Sequence, residues 1–143
     1  MGAGYRARVS TPRPDWLSDS QGPLDDKLGI EIVDFDPDRL VARMPVEGNT
    51  QPFGLLHGGA TCALVESVGS YAAALSAGPG GQVVGIELNA SYLSGARSGT
   101  VTAVCTPARR GRSLATFLVE VSDDQGGATA TARLTCMIRR ARG

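Results

Sequence analysis

The chain has 143 residues, 42% of them hydrophobic, with 14 basic and 14 acidic side chains and no net charge at neutral pH. That length fits one domain burying roughly 68–70% of the surface its unfolded form exposes, and a second catalytic domain has no room. Balanced charge, with no basic run beyond short Arg clusters, argues against nucleic acid as a partner.

The first 22 residues, with Pro12, Pro14 and Gly22 among several Ser and Asp, read as a loosely held arm in which Trp16 and Leu17 dock. Arg6 and Arg8 stand there without an apolar stretch, and Arg6 occupies the place where a myristoylation signal needs Ser or Thr. One domain is expected over 23–143. Leu28 to Phe35 and Arg39 to Pro45 are apolar-rich runs split by Asp36-Pro37-Asp38, which predicts a β-hairpin. A polar loop from Val46 to His57 comes next.

Gly58 to Ala77 then reads as one helix, stopped by Gly78-Pro79-Gly80-Gly81, where glycine supplies a left-handed cap and proline blocks continuation. Glu66, Ser67, Gly69 and Ser70 interrupt its apolar character, so it is a buried helix rather than a membrane span. Gln82 to Leu93, Thr100 to Arg109, Arg112 to Ser122 and Ala128 to Arg139 come after it with period-two alternation and read as strands. In the last, Ala128, Ala130, Ala132, Leu134, Cys136 and Ile138 share the covered face.

Two strands, a helix and four strands make an α+β order in which one long central helix covers a six-stranded antiparallel sheet. A lone helix that is apolar almost all round calls for a sheet wrapped around it, the hotdog arrangement. The competing arrangement is a two-layer sandwich covered by a partner subunit. Cys62, Cys105 and Cys136 are odd in number and widely spaced, which suits reduced thiols and a cytoplasmic location.

The helix also holds the candidate chemistry. Glu66 is a carboxylate among small and apolar neighbours, and burying such a group disfavours its charge, a common way to hold it ready as nucleophile or base. The bland reading is a Glu escaping to solvent beside Ser67, Ser70 and Ser76. At the helix start, His57-Gly58-Gly59 offers unpaired N–H groups and the positive end of the dipole to a carbonyl oxygen; a turn with no ligand is the alternative. His57 is read first as a lead-in residue bonded to backbone and second as a substrate contact. Gly58 and Glu66 lie roughly 12 Å apart along a helix rising about 1.5 Å per residue. If both act on one carbonyl, they must come from two subunits packed across a two-fold axis. Ser70, one turn beyond Glu66, is placed to bond the carboxylate or a water. One histidine and scattered cysteines make no zinc site, and no nucleophile elbow or phosphate loop is present.

The run Gln51-Pro52-Phe53-Gly54-Leu55-Leu56-His57-Gly58-Gly59-Ala60-Thr61-Cys62-Ala63-Leu64-Val65-Glu66-Ser67 resembles the signature of hotdog acyl-CoA thioesterases of the phenylacetate-pathway type. The nearest resemblance is to the glutamate-using 4-hydroxybenzoyl-CoA thioesterase branch. It implies that Gln51 orients the thioester, the Gly58 N–H polarises its carbonyl, Glu66 acts from the facing subunit and Ser70, where that branch commonly has Thr, helps place water. It also implies an acyl-CoA substrate, so that CoA is part of the substrate and no separate cofactor is expected. A carbonyl shared by two subunits, as above, calls for a homodimer, with a tetramer built as a dimer of dimers as the further expectation. CoA would lie in a groove between subunits beside His57 and Gly59, its phosphates near Arg109, Arg110, Arg112 and Ser113 at the Gly111 turn. A solvated hairpin tip is the alternative for those four. Aryl or arylacetyl groups are the expected acyl class by this resemblance, with Tyr71, Tyr92 and Phe53 either lining the pocket or belonging to the core. A non-catalytic acyl-CoA-binding protein and a dehydratase are the competing functions. The four site residues together argue against the first, and the lack of an acid beside His57 against the second.

Overall fold

The computed structural model of the chain describes residues 9–18 and 22–143. A short helix α1 (Pro23–Leu28) leads into strands β1 (Glu31–Asp36) and β2 (Arg39–Pro45), the long helix α2 (Gly58–Ala77), and strands β3 (Gln82–Tyr92), β4 (Thr100–Arg110), β5 (Leu114–Ser122) and β6 (Ala128–Arg139). The strands form one antiparallel six-stranded sheet in the order β1-β2-β4-β5-β6-β3, so β1 and β3 are its edges. The sheet curls around α2, which packs against β2 through β6. That resolves the choice left open by pattern in favour of the wrapped arrangement.

Core residues obey the two periods. Leu64, Val65, Val68 and Ala73 of α2 are fully buried against Leu40, Met44, Val101, Phe117, Val119 and Leu134 of the sheet. At Gly69 an added Cβ would stand 2.3 Å from Leu134 Cδ2, so this glycine is what lets α2 and β6 approach. Gly78, at φ 76°, ends the helix, its N–H bonding Ala74 O. Among the described residues, no helix is long and apolar enough to cross a membrane.

Three local expectations need correction. The stretch from Leu28 is not strand throughout: Pro23 at the first turn, acids at Asp25 and Asp26, and Gly29 in the left-handed region (φ 72°) build helix α1, and β1 begins only at Glu31. In β6 the alternation holds from Ala130 to Ile138 but fails at its start, where Ala128 is exposed and Thr129 buried. The reason is a bulge: Val121 pairs with Ala130 and Ser122 with Ala128, so Thr129 is the extra residue, its hydroxyl donating to Val121 O. Phe53 and Tyr92 are not core residues, being 83% and 57% exposed. Tyr71 is half-buried, edge-on to Phe35.

Part of the N-terminal arm is docked. Thr11 accepts the Phe35 N–H through its carbonyl and donates its own N–H to Asp34, Arg13 stacks over the Phe35 ring, and Leu17 packs on the core. Trp16 stays exposed. Arg6 and Arg8 lie outside the described residues.

Candidate active site

Around α2 the residues alternate between buried pairs and a half-buried stripe that runs through Cys62, Ala63, Glu66, Ser67, Ser70 and Tyr71. This stripe is the side of α2 that is only partly covered. Glu66 is therefore neither sealed in the core nor free in solvent. Its carboxylate reaches the edge strand, where a Cβ added at Gly85 would sit 2.2 Å from Glu66 Oε1. A side chain at 85 would push the carboxylate aside, so the glycine leaves it this place, and the β3–β6 register shifts beside it, leaving Ile86 as a bulge residue. Glu66 has no ion pair or side-chain hydrogen bond with any described residue. Cys136, which pairs with Gly85 across β3–β6, feels its charge: burial pushes the thiol up to about 11, the Glu66 charge adds to that, and a hydrogen bond from Ser70 opposes it. Glu66, Ser70, Gly85 and Cys136 thus form one cluster.

On the other side of Glu66, α1 closes over the stripe. Asp25 is 6% exposed and accepts a 2.5 Å hydrogen bond from Ser67 Oγ. A cleft of about 340 Å³ runs between the two helices, lined by Asp25, Glu66, Ser67 and Ser70 among others. Desolvation raises the pKa of Asp25, the Ser67 bond opposing it and Asp26 adding to it. The native state then holds the Asp25 proton more tightly than the unfolded chain does, so this group's contribution to stability falls as pH rises from the ordinary Asp range through the raised value. Asn at 25 cannot ionise and still accepts from Ser67. Asp25→Asn is expected to melt above the wild type at pH 8, with the gap closing by pH 4, in thermal scans followed by circular dichroism. A lower melting temperature at pH 8 would mean that the Ser67 bond to the charged form outweighs desolvation.

The start of α2 is held by the preceding loop. Buried Asn49 donates from its side-chain Nδ2 to Leu28 O and Pro45 O, at 2.7 and 2.8 Å, while its backbone carbonyl takes the His57 N–H. His57 is the helix N-cap, Nδ1 accepting the Gly59 N–H at 2.7 Å. The lead-in reading of His57 is the one realised in the chain's own contacts. Gly58 N–H, next to that cap, has no partner among the described residues. Gln51 Oε1 accepts from the Phe53 and Leu55 N–H groups, which fastens the side chain to its own loop and leaves both Nε2 hydrogens without a described partner. Gln51 and Gly58 line a cleft of about 410 Å³ with Leu55, Leu56, Thr61 and Tyr92.

Gln51, His57, Gly58 and Gly59 therefore gather at one end of α2, and Glu66 with Ser70 at its middle. The arginine turn is elsewhere. Arg110 is engaged by Asp38 at 3.0 Å and by Pro37 O, which commits it to the β1–β2 turn. Ser113 O accepts the Ile138 N–H, so Arg109, Arg112 and Ser113 sit at the sheet end where β6 finishes. There Arg139, Arg140 and Arg142 flank a further cleft with Gln82. Sequence reasoning passed over these three arginines and Gly85. A glycine inside a strand pattern was the available signal for Gly85; an Arg-rich C-terminal tail was the signal for the others.

Comparison with known proteins agrees with this architecture. A family model described as "Thioesterase superfamily" matches residues 53–130. The chain is 42% identical over 112 residues to 1,4-dihydroxy-2-naphthoyl-CoA hydrolase of Escherichia coli, covering 78% of this chain and 82% of that one. It is 42% identical over 120 residues to the proofreading thioesterase EntH of Cronobacter turicensis, covering 83% and 88%. The crystal structure of a Haemophilus influenzae thioesterase superposes with a TM-score of 0.79 at 39% identity over 82% of each chain. With the wrapped helix, these matches mean that the chain belongs to the thioesterase superfamily and is a hydrolase of thioesters of the acyl-CoA type.

Proposed function

We propose that the chain hydrolyses aryl or arylacetyl-CoA to free acid and CoA in a site shared by two copies, Glu66 of one acting as nucleophile or general base and Gly58 N–H of the other polarising the thioester carbonyl. The observation that carries this reading is that both groups reach the same edge strand at separate points, Glu66 at Gly85 and Gly58 at Tyr92. Strand β3 has 11 residues, lies at the sheet edge and exposes Val84 and Ile86, so its outer backbone groups are a template for a second copy. Antiparallel pairing of two β3 strands about a two-fold axis between Leu88 and Asn89 sets Tyr92 of one copy opposite Gly85 of the other. The Gly58 end of one helix then faces the Glu66 region of the second, which bridges the roughly 12 Å that separates them within one helix.

In this site Gln51 offers its free amide hydrogens to the thioester, Gly58 N–H stabilises the oxyanion formed on attack, and Ser70 places water beside Glu66. The CoA thiolate leaves and takes up a proton, and water supplies the oxygen of the acid, so no cofactor is required. Arg109, Arg112 and Ser113, with Arg139 and Arg142 at the same sheet end, are the groups we assign to the CoA phosphates. A row of exposed apolar side chains across the outer face, Val84, Met137 and Leu114, is the surface on which two dimers would join as a tetramer. The three free cysteines suit a reducing cytoplasm.

The naphthoyl substrate named for the Escherichia coli relative and the leucine-lined cleft beside Gly58 support an aryl group. In a free-thiol assay, kcat/KM for benzoyl-, hydroxybenzoyl- or phenylacetyl-CoA is expected to exceed that for medium-chain acyl-CoA by at least about tenfold, the scale of pocket discrimination between apolar groups. A preference for long aliphatic chains would overturn the acyl assignment, and release of thiol from none of them would leave a binding protein.

A further inference from the structure

The donor assigned above sits on pliable backbone, because Gly58 and Gly59 are consecutive and glycine has the widest conformational freedom. Two side chains remove that freedom. His57 Nδ1 accepts the Gly59 N–H at 2.7 Å, and the Tyr92 hydroxyl donates to Gly58 O at 3.0 Å. The peptide unit between Gly58 and Gly59, adjoining the one that carries the Gly58 N–H, is therefore gripped at both its oxygen and its hydrogen.

Tyr92 comes from the far end of β3, and its ring lies flush on the glycine: a Cβ added at Gly58 would stand 2.8 Å from Tyr92 Cζ and 2.9 Å from its oxygen. Cys62 Sγ lies 3.1 Å from that same oxygen. A phenol has one proton to give. With that proton on Gly58 O, the thiol is left to donate to the phenol oxygen, forming a chain from Cys62 S–H through Tyr92 O–H to the Gly58 carbonyl. The bond is not a helix cap, because the first turn of a helix leaves N–H groups rather than carbonyls unpaired, and His57 serves one of those. What the bond adds is a fixed setting of Gly58 beside the cleft that Tyr92 and Gly58 line together.

We propose that Tyr92 is a positioning residue for the thioester carbonyl site, its hydroxyl, oriented by Cys62, holding the Gly58 backbone so that the Gly58 N–H is preset for the carbonyl oxygen as it gains charge. This rests on the role given to Gly58 above. A donor that needs no reorganisation during reaction stabilises the transition state more than the ground state, so its loss is read in kcat rather than KM.

Tyr92→Phe keeps the ring against Gly58 and deletes only the hydroxyl. It is expected to lower kcat on benzoyl-CoA by about tenfold, below the roughly 10²–10³ lost with a whole oxyanion donor, with KM within about twofold. The second reading uses benzoyl-CoA labelled with carbon-13 at its carbonyl, bound to Glu66→Gln protein and followed by infrared difference spectroscopy. With Tyr92 present the carbonyl stretch is expected below its solution frequency, and with Tyr92→Phe it returns most of the way. A shift in Glu66→Gln that Tyr92→Phe leaves untouched overturns the role of Tyr92 alone. No shift in either protein removes the Gly58 role as well. Raised KM at unchanged kcat would make Tyr92 a substrate contact and also overturn the proposal.

Discussion

Replacing Glu66 with Gln or Ala is expected to cut kcat by at least about 10²-fold, the scale of a lost general base, while the protein stays folded. The structure separates the two effects. Glu66 lies on the half-buried stripe of α2 and holds no ion pair or side-chain hydrogen bond with a described residue, so removing its charge leaves no orphaned partner behind. Gln fits the same space against Gly85. Turnover within a few-fold of wild type, with unchanged melting, would sink the catalytic assignment. The route is distinguished by oxygen labelling. If Glu66 attacks the thioester carbon, the CoA thiolate leaves from a mixed anhydride, and hydrolysis of that anhydride at the carboxyl carbon of Glu66 in heavy-oxygen water puts label into the side chain. If Glu66 instead deprotonates water, label enters only the released acid. Label found in the Glu66 peptide after single-turnover hydrolysis establishes the anhydride route.

The parts of this site that were legible in the sequence are the local ones. Helix α2 shows as one long apolar run, the strands as apolar-rich or alternating runs, and the turn chemistry at Asp36-Pro37-Asp38 and Gly78-Pro79 marks their limits. The spacing of Gly58 and Glu66 was likewise readable, because an unbroken helix converts sequence separation into distance. Contacts between distant segments were not. Ser67 meets Asp25, Gly58 meets Tyr92 and Glu66 meets Gly85 across separations that no local period encodes. Bulges hid a second class of detail: the extra residues Val33, Ile86, Ala108 and Thr129 each reverse the facing of the residues beyond them, so alternation read from one end of a strand fails at the other. Helix α1 was missed for a different reason. Its six residues are too few for a periodic signal, and only its end signals, Pro23 and Gly29, were available.

Mixing two inactive variants is expected to restore activity if the site is shared. One variant carries Glu66→Ala. The other carries Gly58→Val, whose side chain would collide with the Tyr92 ring, the Cβ alone lying 2.8 Å from Cζ, and so displace both the donor and its support. In a heterodimer with closed two-fold symmetry, one site combines both substitutions and the other contains neither. Random pairing makes half of the dimers hetero, each with one sound site of two, so roughly a quarter of wild-type activity should return. Exchange of subunits must be demonstrated separately, by differential tagging and co-purification, because an interface that never opens gives no mixed dimers to assay. With exchange shown, absence of rescue would mean that Glu66 and Gly58 serve the same protomer or that one of them takes no part. The helix rise of about 1.5 Å per residue rules against the first alternative: two groups roughly 12 Å apart on one rigid rod cannot both contact a single thioester carbonyl. Failure would therefore point at one of the two assignments, and the Glu66→Gln measurement above would say which.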